Sequence, residues 1–241
     1  MTDDIDLVLM RRFVAAQRFW GRVWLLTHVQ LQRLRAFWLA SATEFGKRTL
    51  DILVSLLFLI LLSPLFGLIA AAVWIEDGGT VFFAQTRVGR HGRHFKMYKI
   101  RSMCRDAEQR LKELLARNQH AEGVTFKIKA DPRITRVGRW LRKFSLDELP
   151  QFFNVLIGDM SLVGPRPPVP REVAKYSLAD RRRLAIRPGI TCIWQISGRS
   201  EIDFSGQVKL DVDYIENQSL WSDLKILVLT VPAVLSGKGA C

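Results

Sequence analysis

Two adjacent carboxylates, Asp147 and Glu148, lie in the segment SLDELP, between two arginine-rich stretches of the chain. Ser145 and Glu148 match the S-x-x-E capping box, which predicts a helix start with Ser145 as the N-cap. Pro150 favours Asp147 as the N-cap instead, because the proline is then the third helical residue, where its missing N–H breaks no hydrogen bond. In either register the carboxylates lie at a helix N-terminus, which is also where phosphate binds.

The chemistry open to these carboxylates depends on basic side chains from other parts of the chain. Four basic residues occur in short loops punctuated by glycine, proline or aromatic residues: Lys99, Arg142, Arg166 and Arg199. Arginine forks bind phosphate oxygens well. Beside such a cluster one carboxylate can act as a nucleophile on phosphorus, and a second can hold Mg²⁺. A solvated surface charge explains any one of the arginines, but it does not explain all of them together.

The composition restricts the partners of the protein. The 241 residues include 36 Lys+Arg against 23 Asp+Glu, which gives a net charge of +13 and a pI near 10.2. Such a charge indicates a polyanionic partner: nucleic acid, an anionic membrane surface or a phosphorylated substrate. Three cysteines without motif spacing predict neither a disulfide framework nor a zinc site and indicate a reducing compartment. The first long apolar run starts too late for a secretory signal.

The apolar run over residues 52–75 is predicted to lie in a membrane. Its 24 residues carry no charge, and as a helix they would extend roughly 36 Å, enough to cross a hydrocarbon core of about 30 Å. Ser63 and Pro64 lie near the middle, where Pro64 cannot donate to the carbonyl of Ile60 and should kink the helix. The Ser63 hydroxyl can donate to a carbonyl one turn earlier, which helps to satisfy the break inside lipid.

Two topologies fit this run. An ordinary spanning helix tolerates a proline, but basic residues flank the run on both sides, over residues 11–48 and residues 87–101. The positive-inside rule places basic flanks in the cytoplasm and so favours a re-entrant helix, bent at Ser63-Pro64, that enters and leaves by the cytoplasmic face. Each half would be roughly 18 Å long and reach part way through the bilayer.

The other elements predict a mainly helical α/β protein. Residues 13–38 form an amphipathic helical pattern, with one apolar stripe (Phe13, Trp20, Trp24, Leu31, Leu34 and Trp38) opposite Arg18, Arg22 and Arg33. This pattern fits an interfacial helix on anionic lipid, or a helix packed on the protein's own core or a partner. The remaining elements are a β-hairpin over residues 81–103 with its turn at His91-Gly92, a short helix over residues 106–118, an irregular stretch over residues 131–170, a helix over residues 171–186, a loop and strand over residues 186–199 and an apolar helix over residues 220–235.

Together these segments resemble the bacterial sugar transferase family, the monotopic phosphoglycosyl transferases that start glycan assembly on a polyprenyl phosphate. The matching segments follow the family order over residues 47–233: KRTLDILVSLLFLILLSPLF, FFAQTRVG, FKMYKIRSM, DPRITRVGRWLRKFSLDELPQFFNVLIGDMSLVGPRP and RPGITCIWQISGRS. The C-terminal pattern is most similar to exopolysaccharide initiators that transfer hexose 1-phosphate from a UDP-sugar. The resemblance implies a small-form member at the cytoplasmic face of the bacterial inner membrane. Its parts would be an amphipathic extension (1–46), a re-entrant helix (47–77) and a cytoplasmic catalytic domain with membrane-associated helices (78–241).

The resemblance also implies roles for single residues. Asp147 would attack the sugar-bearing phosphate of UDP-hexose, releasing UMP and leaving a sugar-phosphoryl aspartate, whose group the polyprenyl (undecaprenyl) phosphate then takes. Glu148 would bind Mg²⁺. Cys192 stands where the family usually has glycine, which affects the expected local turn and the fit of sugar or uridine. Substrate-binding positions would be Lys99, Arg142 and Arg166 at the phosphates, together with Arg199 and a further acidic position, Asp211.

Two other interpretations compete with an enzyme. A membrane-tethered basic module could bind nucleic acid or anionic lipid without catalysis, and the net charge agrees with that. Carboxylates inside a phosphate-backbone groove would weaken such binding, so nucleic acid is not expected as a partner. An inactive scaffold is disfavoured because Asp147, Glu148 and Arg166 are intact. The sequence leaves open the hexose, the polyprenol length and the oligomeric state, a homo-oligomer included.

Overall fold

The computed structural model describes residues 19–107, 109–110, 131–198 and 202–236, together with residues 10, 14 and 17. The chain divides into two compact units, Met1–Lys47 and Arg48–Cys241. The elements in chain order are α1 (Phe19–Leu61), α2 (Ser63–Asp77), β1 (Phe82–Val88), β2 (His94–Ile100), α3 (Arg136–Lys143), α4 (Gln151–Ile157), β3 (Ser161–Val163), α5 (Pro170–Val173), β4 (Gly189–Thr191), α6 (Ile193–Ser197), α7 (Phe204–Glu216) and α8 (Leu220–Ser236). Three 3₁₀ turns complete the set: Arg90–Gly92, Leu146–Glu148 and Asp180–Leu184.

The predicted mainly helical α/β class and its hairpin are confirmed. Strands β1 and β2 pair antiparallel, and the turn between them contains His91 and Gly92, both with positive φ. Strands β3 and β4 form a separate parallel pair. The C-terminal apolar helix is confirmed as α8. The predicted helix over residues 106–118 lies largely outside the described residues.

The N-terminal unit contains the first part of α1. Trp20, Trp24, Leu31 and Leu34 of the predicted apolar stripe are helical and more than half exposed. The ring of Trp24 stacks on that of His28, with centroids 5.2 Å apart. The structure therefore confirms the helical periodicity where it describes this stretch. Members of the pattern that lie outside the described residues or side chains are Phe13, Arg18, Arg33 and Trp38.

The long apolar run breaks at the predicted position. Helix α1 ends at Leu61, α2 begins at Ser63, and the pair Thr43–Leu61 and Ser63–Asp77 is bent by 59°. Pro64 lies in the first turn of α2, where its missing N–H leaves no partner unbonded. Ser63 Oγ donates to the carbonyl of Ile60 at 2.8 Å. Within the described chain no single helix has the length and apolarity of a membrane span, whereas the bent pair taken together has both.

Three further expectations about local structure are wrong. The stretch over residues 131–170 forms two regular helices, α3 and α4, of eight and seven residues. Helices of two turns are too short to show a clear period in the sequence. The stretch over residues 171–186 forms only α5 and a 3₁₀ turn, and the loop after β4 forms α6 in place of an extended strand.

Two apolar clusters form the core of the second unit. The larger one joins β2 to α4, β3, α7 and α8 through Phe95, Met97, Val155, Met160, Leu162, Val163, Tyr214 and Ile226. The smaller one packs α2 against α3 and the end of β2 through Ile69, Val73, Ile100 and Leu141. Because side chains alternate along a strand, Lys99 lies on the same face of β2 as buried Phe95 and Met97. A lysine on the core face of a strand marks that end of the hairpin as unusual.

Polar contacts fasten the second half of α1 to this core. Arg48 donates to the carbonyls of Val155 (2.6 Å) and Leu156 (2.8 Å) at the end of α4. These carbonyls have no partner inside the helix, so the guanidinium acts as a C-cap. The buried carboxylate of Asp51 accepts from the backbone N–H of Leu162 at 2.9 Å. Helix α1, α4 and β3 are therefore one packed body.

Helix α3 is held at its start by α2. The carboxylate of Glu76 accepts from the backbone N–H groups of Arg136 (2.7 Å) and Val137 (3.0 Å), the first two residues of α3. Burial alone would raise the pKa of Glu76, but these backbone hydrogen bonds lower it below its ordinary value. On its inner side α3 touches the backbone of Ser102, and a Cβ at Gly138 would lie 2.0 Å from the Ser102 carbonyl oxygen.

The close approach at Gly138 gives a stability prediction. Gly138→Ala is expected to destabilise the protein by about 1–3 kcal/mol, because backbone on both sides must move to make room. The matched control is Gly67→Ala in α2, where a Cβ would meet no described atom within 4 Å and alanine is the better helix former. The measurement is the thermal unfolding midpoint of the detergent-solubilised protein. Equal midpoints for the two variants would contradict the packing described here.

Candidate active site

The segment SLDELP folds differently from both predicted capping registers. Ser145 is left-handed (φ 55°, ψ 23°), Leu146–Glu148 form a 3₁₀ turn, and α4 begins only after Pro150. Within the described residues the Ser145 side chain makes no capping hydrogen bond. Asp147 and Glu148 thus precede the helix instead of lying in its first turn. A left-handed serine is costly and uncommon outside functional sites, and here it ends α3 sharply and turns the two carboxylates toward β2.

Lys99 lies between the two carboxylates. Its Nζ donates to Glu148 Oε1 at 2.6 Å and lies 4.0 Å from Asp147 Oδ2. Asp147 is only 6% exposed, so the ammonium group compensates two negative charges that have left most of their water. The predicted association of Lys99 with the dyad is therefore present in the structure.

The two carboxylates are pushed in opposite directions. Burial raises the pKa of Asp147 above its ordinary value, and the charge of Glu148 adds to this, although Lys99 and Arg142 oppose it. Burial alone would also raise the pKa of Glu148, but the charges of Lys99 and Arg166 and the hydrogen bond from Lys99 lower it. Paired groups whose pKa values are driven apart have different chemical roles. Asp147 is the more basic oxygen nucleophile, and Glu148 stays ionised.

The position of Lys99 is fixed by a side chain that acts as a strand. The Asn154 amide accepts from the backbone N–H of Tyr98 (2.9 Å) and donates to the carbonyl of Lys96 (2.7 Å), which closes the free edge of β2. Asn154 belongs to α4, directly after the carboxylate turn, and it is fully buried. This contact sets the distance between the strand that carries Lys99 and the turn that carries Glu148.

Arginines surround the dyad. Arg142, in the last turn of α3, donates from Nε to Ser102 Oγ at 2.9 Å. The guanidinium of Arg166 lies over the ring of Trp194, 6.0 Å from its centroid. Arg142 and Arg166 line one cavity of about 1520 Å³ with Lys99 and both carboxylates. The structure therefore brings together five of the predicted site residues.

Arg87 is a further member that the sequence interpretation missed. It pairs across the hairpin with Phe95, on the strand face that carries Lys99, and it lines the same cavity. Burial lowers its pKa to about 10, with the charge of Arg166 adding to the effect. Its guanidinium donates to the carbonyl of Pro167 at 2.9 Å. The predicted hairpin register could have indicated Arg87, because residues opposite each other on paired strands share a face.

The same cavity has an extensive apolar wall. Phe58 of α1 stacks on Phe152 of α4 with centroids 5.1 Å apart. The apolar residues that line the cavity are Val54, Phe58, Phe152, Ile190, Leu227, Val228, Val231, Val234 and Leu235. The cavity therefore borders both the charged dyad and the helices α1 and α8, which are the most apolar parts of the unit.

Two predicted substrate-binding residues stand apart from the dyad. Asp211 on α7 is buried in an ion pair with Arg183 and is not among the residues that line the cavity. Burial raises the pKa of Asp211 to about 6 in spite of that partner. Arg199 lies outside the described residues. The substrate-binding roles of Asp211 and Arg199 stay predictions.

Cys192 does not require the glycine expected at its position. Its backbone is extended (φ −150°, ψ 169°), a conformation open to any residue. Burial raises the pKa of the Cys192 thiol well above its ordinary value, so the group stays protonated. The thiol donates to Gln195 Oε1, with the sulfur 3.3 Å from the oxygen. Gln195 lines the cavity, so the cysteine acts on the site by orienting that amide.

The donor set for a metal consists of the two carboxylates. Within the described residues no group of three or more His, Cys, Asp and Glu side chains could hold a metal ion. Mg²⁺ commonly uses one or two carboxylates and completes its shell with water and substrate phosphates. Glu148, ionised and bordering the cavity, fits that use, although Lys99 already occupies one of its oxygens.

Comparison with known proteins agrees with this constellation. The family model described as bacterial sugar transferase matches residues 42–237. The chain belongs to the bacterial sugar transferase family. It is 53% identical over 196 residues to the galactosyl transferase CpsE of Streptococcus agalactiae. It is 46% identical over 215 residues to the undecaprenyl-phosphate galactose phosphotransferase of Salmonella typhimurium, and 44% identical over 198 residues to the exopolysaccharide production protein ExoY of Sinorhizobium fredii.

The matches cover different shares of these relatives. They take in 81% of this chain and 43% of CpsE, 88% of this chain and 45% of the Salmonella protein, and 81% of this chain and 88% of ExoY. The chain thus spans less than half the length of the first two sugar transferases and most of the third. The resemblance inferred from the SLDELPQ and GPRP block is confirmed at the level of the family.

The electrostatics of the dyad give a titration prediction. Lys99→Gln removes the positive charge that holds down the pKa of Asp147, so Asp147 is expected to take up its proton at a higher pH than in the wild type. Isotope-edited infrared spectroscopy can follow the carboxyl band that is absent in Asp147→Asn. Lys96→Gln, on the opposite face of β2 and bonded to Thr86, is the matched control and should leave the band's midpoint unchanged. A midpoint at or below the wild-type pH in Lys99→Gln would contradict the arrangement.

Proposed function

We propose that this sugar transferase transfers hexose 1-phosphate from a UDP-sugar to polyprenyl (undecaprenyl) phosphate and releases UMP, as the first membrane step of exopolysaccharide or other glycan assembly. The observation that carries the proposal is the single cavity that borders both an arginine-flanked carboxylate pair and an apolar wall. A nucleotide sugar requires the first surface, and a polyprenyl phosphate requires both. The printed names of the relatives support the enzyme class, and two of them specify galactose, so UDP-galactose is the first donor to test.

The first step forms a bond to Asp147. A carboxylate oxygen attacks the phosphorus that bears the hexose, and the bond from this phosphorus to the bridging oxygen breaks. The bonding electrons leave with UMP, and a hexose-phosphoryl aspartate remains. Burial and the raised pKa of Asp147 support this role, because they make the ionised oxygen a stronger nucleophile. Arg142, Arg166 and Lys99 offset the charge of the diphosphate as the anionic carboxylate approaches.

The second step returns Asp147 to its free state. A phosphate oxygen of the polyprenyl phosphate attacks the same phosphorus, and the bond to the aspartate oxygen breaks. The product is a polyprenyl diphosphate hexose. The apolar lining from α1 and α8 supports this step because it offers the lipid chain a surface next to the dyad.

Glu148 is proposed as the protein ligand of Mg²⁺. When bound, the ion would neutralise phosphate charge and so allow an anion to attack phosphorus. The lowered pKa of Glu148 supports the role, because the group stays ionised without the metal. The chain's own contribution is to keep this carboxylate beside Asp147 and facing the cavity.

The bent pair α1–α2 is proposed as a re-entrant membrane segment at the cytoplasmic face of the bacterial inner membrane. The break at Ser63-Pro64 and the basic flanks on both sides of the apolar run support it. The contacts of Arg48 with α4 and of Glu76 with α3 support it independently. They fasten both ends of the bent pair to the same catalytic unit, which a helix that crossed the bilayer could not do.

The nucleophile assignment predicts a large loss of activity. Asp147→Asn is expected to lower UMP release by several orders of magnitude, because the residue forms the new bond. Intact-mass analysis of wild-type protein incubated with UDP-galactose alone should find a hexose-phosphate adduct that Asp147→Asn lacks. Asp213→Asn, an exposed aspartate on α7, is the control and should behave as the wild type. Near-normal turnover in Asp147→Asn would refute the covalent step, and turnover in excess EDTA would refute the metal alone.

The re-entrant topology predicts the accessibility of both flanks. Single cysteines placed at Ser41 and Gly79, in a background without the native three, should both resist an impermeant maleimide in intact cells and react once the membrane is opened. Pro64→Ala restores the missing donor and a helix long enough to cross, so part of the population should expose the Ser41 site outside. Labelling of that site from outside in the protein with Pro64 would establish an ordinary spanning helix instead.

A further inference from the structure

A buried arginine borders the active-site cavity without taking part in the phosphate chemistry above. Arg183, in the 3₁₀ turn Asp180–Leu184, is 4% exposed and lines the cavity. It forms an ion pair with Asp211 of α7 and donates to the Tyr176 hydroxyl at 3.2 Å. Its guanidinium carbon lies 5.9 Å from the ring centroid of Tyr176 and 5.8 Å from that of Phe204. Tyr176 and Phe204 line the cavity as well.

One donor of this guanidinium remains unsatisfied. Nε of Arg183 is buried and has no hydrogen-bond partner among the described residues. An unpaired buried donor lowers stability unless something accepts its hydrogen bond. Asp211 neutralises the positive charge, so the pair as a whole suits a neutral acceptor better than a phosphate. Two aromatic rings beside it suit a flat ring system.

The cluster is a neighbour of the phosphate-binding arginines. Trp194, whose ring lies under Arg166, is buried and lines the same cavity. Cys192, two residues before Trp194, feels the charges of both Arg166 and Arg183, each of which lowers the pKa of its thiol against the effect of burial. A ligand whose phosphates meet Arg166 would therefore have its adjoining group within reach of the Arg183 cluster.

We propose that Arg183, Tyr176 and Phe204 form the subsite for the uracil base of the sugar donor, and that Asp211 is a positioning residue for Arg183. Uracil is flat, stacks on aromatic side chains, and presents the O4 carbonyl as an acceptor. Arginine is a donor only. Cytosine carries an amino group at the same place, which cannot accept, so the subsite selects uridine over cytidine nucleotides. This inference rests on the proposed function, because it names the nucleotide end of the UDP-sugar.

The test is the preference of the purified full chain for UMP over CMP, measured by calorimetric titration, with hexose-phosphate transfer from UDP-galactose assayed in parallel. The first variant combines Arg183→Met with Asp211→Leu, so that neither charge is left buried without its partner. The second is Arg183→Lys, which keeps a charge and loses the planar fork. The matched control combines Arg182→Met with Glu216→Leu, the neighbouring ion pair between the same two elements, which is exposed.

The wild type and the control are expected to prefer UMP, and both Arg183 variants to lose roughly tenfold or more of that preference, as for a hydrogen bond to a charged group. Equal preference in the Arg183 variants and the control would overturn the inference, as would a wild type that transfers hexose phosphate but binds UMP and CMP equally. A wild type that binds UMP but transfers from no UDP-sugar would refute the proposed function and leave the subsite standing. Circular dichroism shows which variants are folded, and loss of preference in either folded variant is decisive.

Discussion

The placement of Lys99 between Asp147 and Glu148 is the contact on which the site depends. Two adjacent carboxylates can be buried together only if a positive charge lies within hydrogen-bond reach of them. Lys99 meets that condition from the core face of β2, with its ammonium group 2.6 Å from Glu148 Oε1. It does not treat the two acids alike: it hydrogen-bonds Glu148 and only faces Asp147. The pKa of Asp147 therefore stays raised while that of Glu148 is lowered.

Much of the second unit serves to hold that contact in register. Asn154 fixes the edge of β2, and the left-handed Ser145 lets the carboxylate turn follow α3 without a linker. The N-terminus of α3 is in turn bonded to Glu76 at the end of α2, so the geometry of the bent apolar pair reaches the dyad through one short helix. A change in the angle at Ser63-Pro64 would move α3, and with it Arg142, relative to Lys99.

The sequence predicted the elements with strong local signals. The break at Ser63-Pro64, the turn at His91-Gly92 and the apolar α8 all follow from residue type and periodicity. The capping registers at SLDELP failed because a 3₁₀ turn and a left-handed serine were preferred over an early helix start. Such a choice depends on contacts with Lys99 that are distant in the sequence. Arg87, Asn154 and Arg183 were missed for the same reason, since each acquires its role only from partners brought together by the fold.

The cavity has to accommodate two reactants with opposite solvation. A nucleotide diphosphate favours a polar surface with several cations, whereas a polyprenyl chain favours apolar side chains. Both surfaces border the same carboxylate pair here, because α4 carries Phe152 directly after the dyad and packs it on Phe58 of α1. The apolar packing next to the acids also removes water from Asp147, which raises its pKa. The wall suited to the lipid and the basicity of the nucleophile thus have one physical cause.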